Sequence, residues 1–148
     1  MNLNISRPQY ERLTVYFNFD NYAEYTLICC NSYDTPYDLI EALISYCNTG
    51  RGELVIKEAP YFIEHEILIE NKIIKIINTN NTNILYTSTE IDIKRTVDNI
   101  VESSNKYFFD IVNWNRTAPY DSLFKRLKRI IRLHMLIKKL KGTEIKYE

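Results

Sequence analysis

Glu64-His65-Glu66 is the one place in this chain where two carboxylates flank an imidazole, the residue types of a general base or a metal site. The chemistry depends on whether the three side chains converge. On a strand they do not: His65 shares a face with Tyr61, Ile63, Ile67 and Ile69, while Glu64 and Glu66 point the other way. The only other histidine is His134, so His65 reads as a packing residue at or near the core with a backbone partner. Cys29, Cys30 and Cys47 are an odd number with one adjacent pair, which is neither a disulfide framework nor a zinc pattern. The glycines, Gly50, Gly52 and Gly142, are not spaced to cradle a phosphate, and no serine sits in a G-x-S-x-G context. Acid pairs occur, but nothing in the sequence places two of them in a cleft. The expectation is a chain with no enzyme activity, no metal and no cofactor.

Binding surfaces are easier to find than reaction centres. Glu64 and Glu66 share a strand face with Phe62 and Leu68, so apolar anchors stand beside anionic groups that steer a basic partner. The plain alternative is a solvated sheet face bordered by Lys57 and Lys75. Twelve tyrosines are many for this length, and tyrosine is amphipathic and common at recognition surfaces. Tyr10, Tyr16, Tyr22, Tyr25, Tyr33 and Tyr37 all fall in the first quarter of the chain. The candidate partner-binding residues are therefore Phe62, Glu64, Glu66, Tyr16, Tyr22 and Tyr25.

The C-terminal quarter has the clearest charge pattern. Residues 1–120 carry a formal charge of −6 and residues 121–148 carry +6. A helix over about 121–141 places Leu123, Phe124, Leu127, Ile130, Ile131 and His134 on one arc, expected to pack against the body. Lys125, Lys128, Arg129, Arg132 and Lys139 fall on the opposite arc. They are the candidate nucleic-acid contacts, since phosphates reward such charge. A membrane-surface role is disfavoured by the acidic body and the lack of an accompanying Trp or lipidation site.

The elements that position these groups follow from periodicity. Residues 12–19 alternate, and with Tyr22–Cys30 they form a hairpin about Asp20-Asn21. Thr35 as N-cap and Pro36 at the first turn open a helix whose stripe is Leu39, Ile40, Leu43, Ile44 and Cys47, ended by Gly50 and Gly52. Strands follow at 53–58 and 61–69, then a tight turn at Asn71-Lys72 sets Ile69 opposite Ile74 and Ile67 opposite Ile76. Ile73–Ile77 and Ile84–Tyr86 complete the strands. A Thr87/Glu90 capping box begins a long helix that keeps its spacing to Ile111, and Trp114 pins the junction to the basic helix. The order ββ-α-βββ(β)-α-α describes one α+β domain over 1–148, an antiparallel sheet of about five to six strands with helices on one face. Residues 1–13 show no apolar leader core, and no run approaches the ~18 apolar residues of a membrane span. The protein is expected in the cytoplasm, and its Ile, Asn, Lys and Tyr content suggests an AT-rich bacterial genome.

A small α+β chain with this build and no reaction motif resembles the immunity proteins of bacterial polymorphic-toxin and contact-dependent growth inhibition systems. The resemblance covers the general build of the whole chain and carries no site residues. It implies a cytoplasmic protein that binds a cognate toxin domain and occludes its active site. Two rival readings remain: a nucleic-acid-associated protein using the basic helix, and a small enzyme with an unrecognised carboxylate site.

Overall fold

The structure is a computed structural model that describes residues 1–20, 22–114 and 123–146. Seven strands and four helices follow in the order β1 (Asn2–Ile5), β2 (Arg12–Phe19), β3 (Tyr22–Cys30), α1 (Thr35–Thr49), β4 (Arg51–Glu58), β5 (Ile63–Glu70), β6 (Ile73–Asn78), β7 (Ile84–Thr87), α2 (Ile93–Lys106), α3 (Phe108–Val112) and α4 (Leu123–Gly142). The α+β class holds, with seven strands in place of five or six. The strand missed in the sequence is β1. Its four residues include two Asn, which weakens any strand signal, yet Leu3 pairs with Phe17 and Ile5 with Val15 on the buried face.

Strand order in the sheet equals chain order, and every neighbouring pair is antiparallel. Helix α1 interrupts the meander between β3 and β4, which pair only at Cys29 and Glu58. The sheet curls about this weak seam. Tyr86 of β7 stacks on Tyr25 of β3, with ring centroids 4.6 Å apart, and meets the edge of Phe17 of β2 at 5.6 Å. Gly52 lets α1 lie on the concave face, because a Cβ there would fall on the Ala42 carbonyl oxygen. Gly50 ends α1 in the left-handed region at φ 80°; Gly52 belongs to β4.

The hairpin of β5 and β6 has the expected register, with Ile69 opposite Ile74 and Ile67 opposite Ile76. Asn71 and Lys72 both take positive φ, as a tight turn of the type I′ class requires. Helix α2 protects the outer edge of β1 with side chains. Thr96 Oγ1 accepts from the Leu3 N–H at 3.1 Å, and Asn99 Nδ2 donates to the Leu3 carbonyl at 3.1 Å, so this edge is not left open for another strand.

Four expectations about the helices are corrected. Helix α1 starts at Thr35 with Asp34 as its N-cap residue, one position earlier than expected. The Thr87/Glu90 capping box does not form, because Thr87 ends β7 and the chain continues beside β6: Ser88 N–H bonds to the Ile74 carbonyl and Ile91 N–H to that of Lys72. The true cap of α2 is Asp92, whose Oδ1 accepts from Arg95 N–H at 2.9 Å. The long helix breaks at Tyr107 into α2 and α3.

The fourth correction concerns α4. Its buried residues are Leu133, Ile137 and Leu140, whereas Leu123, Phe124, Leu127, Ile131 and His134 of the expected core arc are exposed and Ile130 is half-buried. The helix is turned by about a third of a revolution from the expected orientation, packing on α1, α2 and α3. The expected start at residue 121 and the Asp20-Asn21 turn residue Asn21 lie outside the described residues. No described helix is long and apolar enough to cross a membrane.

Candidate functional site

The residues singled out for chemistry separate on folding. His65 is 2% exposed, and its Nε2 lies 2.6 Å from Glu58 Oε2. Its partner is thus a carboxylate from the neighbouring strand rather than a backbone group. Glu64 and Glu66 face the other side, and Nδ1 of His65 has no partner among the described residues. Burial pushes the Cys29 and Cys47 thiols up, which leaves them poor nucleophiles. Among the described residues no three His, Cys, Asp or Glu side chains come together in a metal-holding group.

The end of the sheet next to these residues is built for contact. Gln9 and Arg12 exchange backbone hydrogen bonds of 3.0 and 2.8 Å across a turn whose central residues, Tyr10 and Glu11, have φ of 49° and 62°. The turn projects Tyr10 into solvent, 94% exposed. Arg12 pairs with Cys30, and Cys29 with Glu58, so the β4–β5 turn emerges at the same end of the sheet. Ala59 N–H ties that turn to the Ile28 carbonyl at 2.8 Å. At its tip Tyr61 is 81% and Phe62 63% exposed, with Phe62 at φ 56°. An L-residue with a large side chain rarely takes positive φ, and such outliers concentrate at functional positions.

The acidic face begins beside this tip. Glu64 accepts a 2.7 Å hydrogen bond from the Tyr33 hydroxyl, which raises the phenol's pKa. Lys57 Nζ sits 5.6 Å from the Tyr33 ring centroid. Trp114, buried as a junction pin, donates from Nε1 to the Tyr33 carbonyl at 3.0 Å. Glu66 stands between Val55 and Ile77 on the outer face and has no side-chain partner among the described residues.

The candidate tyrosines do not join this site. Tyr22 is exposed at the far end of the β2–β3 hairpin beside Phe19. Tyr16 is half-buried in mid-strand on the outer face, opposite Asn4 and Thr26. Tyr25 turns inward onto Tyr86, and its phenol pKa is raised by burial and by Glu58. Tyr10 and Tyr61 were not among the candidates. The signal that could have found them is an aromatic at the tip of a short connection between two strands.

Of the candidate nucleic-acid contacts, Lys125, Lys128, Arg132 and Lys139 are exposed, and Arg129 is half-buried. Arg129 is a clamp. It donates to both carboxylate oxygens of Asp34, at 2.6 and 3.0 Å, and to the carbonyls of Ile111, Val112 and Trp114 at 3.2, 2.7 and 2.8 Å. These carbonyls lie at the end of α3 and the turn after it, so one guanidinium joins α1, α3 and α4. Arg132 bonds Glu41 at 2.8 Å and lies over the Tyr37 ring. Lys128 lies over Phe124, with 4.6 Å to the ring centroid.

No family model, curated protein or solved structure matches this chain.

Proposed function

We propose that this protein is an immunity-type binding module that occludes a cognate toxin domain one to one and performs no reaction of its own. The observation that carries the reading is the exposed aromatic end formed by Tyr10, Tyr61 and Phe62, next to the acidic face of Glu64 and Glu66. Turn backbones hold these rings outward, so little conformational freedom is lost when a partner covers them. Aromatic anchors supply contact energy, and the adjoining carboxylates steer a basic cleft such as that of a nuclease. The cytoplasmic placement and the bacterial source belong to this same proposal.

The test is co-expression with the toxin domain encoded beside this protein. Cells should survive with the wild-type protein and lose protection with Tyr61→Ala/Phe62→Ala. Glu66→Lys should slow association and change its salt dependence. Glu66 is the cleaner choice, because reversing Glu64 also breaks the bond from Tyr33. Failure of the wild-type protein to protect would overturn the reading.

A further inference from the structure

Helix α4 is apolar on two opposite sides. Leu133, Ile137 and Leu140 face the body, while Leu127, Ile131 and Met135 stand at the outward pole with Phe124. Ile131 is 59% exposed. A line of apolar side chains at i, i+4, i+8 spacing on a single surface helix is not explained by the fold. No acid occurs between residues 123 and 142, and Lys128, Lys138, Lys139 and Lys141 border or interrupt the line. Beside it lies a surface hollow of about 460 Å³ lined by Lys128, Ile131, Arg132, Met135, Leu136 and Lys139.

We infer that the outward face of α4 docks on an anionic lipid surface, lying in the interface with its apolar line inserted. Three observations favour a bilayer over a protein partner. The apolar line sits at the pole opposite the core and presents no polar group held in place for directional recognition. Lysines, which protein interfaces exclude from their cores, are the bordering residues here, and their long stems let the ammonium reach headgroup phosphates while the carbon chain stays among apolar groups. The charge of the molecule is also split, with the acidic body on the other side of the helix from its apolar pole. An anionic surface attracts α4 and repels the body, which fixes the orientation. The acidic body, which argues against membrane attachment when only composition is considered, thereby acts as the orienting pole.

The experiment is co-sedimentation of the full chain with unilamellar vesicles, either of phosphatidylcholine alone or with about one-third phosphatidylglycerol. The expected result is binding to the anionic vesicles only, weakened by salt. Ile131→Asp and Met135→Asp should each weaken binding about tenfold, with melting temperature unchanged because both positions are exposed. Lys138→Glu/Lys139→Glu weakens the electrostatic part while keeping Leu127, Ile131 and Met135, and should also reduce binding. Absence of binding to anionic vesicles at low salt would overturn the inference. So would binding that the Asp variants leave intact, since contact would then be through charge alone. Variants that spare vesicle binding but weaken capture of the toxin domain would assign the face to a protein instead.

Discussion

At one end of the sheet Tyr10, Tyr61 and Phe62 project from tight turns beside carboxylates; along α4, Phe124, Leu127, Ile131 and Met135 project from a regular helix beside lysines. Both regions leave apolar surface in water, but they spend structure differently. The sheet end holds Tyr10, Glu11 and Phe62 at positive φ, which sets the backbone from which the rings project. The helix uses relaxed backbone and aliphatic chains with free rotamers. Fixed aromatic anchors suit a partner with its own fixed shape, and an adaptable aliphatic line suits a fluid apolar phase.

The sharpest way to break the comparison is to find that the two sides of α4 are energetically alike. Leu133→Ala, at a fully buried position, should cost about 2–5 kcal/mol, whereas Ile131→Ala on the outward pole should cost less than about 0.5 kcal/mol. Urea unfolding of both variants reads the difference directly. Next in size is the clamp that sets the helix orientation. Arg129→Ala leaves Asp34 and three carbonyls without their donor and should cost about 2–4 kcal/mol, reduced from a fully buried pair because both side chains keep some solvent contact.

The strained turn gives an effect of opposite sign. Replacing Tyr10-Glu11 by Asn-Gly supplies residues that accept positive φ, and should stabilise the protein by about 1–2 kcal/mol while weakening toxin capture. A turn shaped only by folding would gain stability with no loss of binding. The smallest effect sits under α4. Burial, with Asp34 and Glu41 nearby, raises the Asp38 pKa to about 6. The folded state therefore holds this proton more tightly than the unfolded chain, and the stability it contributes falls as pH rises from about 4 through 6. Asp38→Asn should stabilise the protein at neutral pH by about 1 kcal/mol, discounted because the group is half exposed. The gain should vanish in acid, as melts across that range would show.

Local pattern made the β5–β6 hairpin legible: alternation chose the faces, and Asn71-Lys72 set the register. The same logic placed Glu64 and Glu66 opposite His65. It failed for α4 because apolar residues cover most of that helix, so hydrophobic spacing defines two equally good arcs. Arg129 helps decide between them, and its partner Asp34 is 95 positions away in the chain. A bond of that separation leaves no trace in local periodicity. Glu58 as the partner of His65 was hidden for a related reason, since the two meet only when β4 and β5 pair. The Tyr10 and Tyr61 tips were passed over because their turns lack the glycine or asparagine that usually marks such positions.

The central claim is that the aromatic end of the sheet, and not α4, captures the toxin. Calorimetric titration of the proposed toxin partner into wild-type protein, Tyr61→Ala/Phe62→Ala and Ile131→Asp tests it most directly. The account expects one-to-one binding by wild type, a loss of about a hundredfold or more in the aromatic double variant, and unchanged affinity in Ile131→Asp, with all three proteins melting alike. Full affinity in the aromatic double variant together with a large loss in Ile131→Asp would contradict it and move the toxin site to the helix.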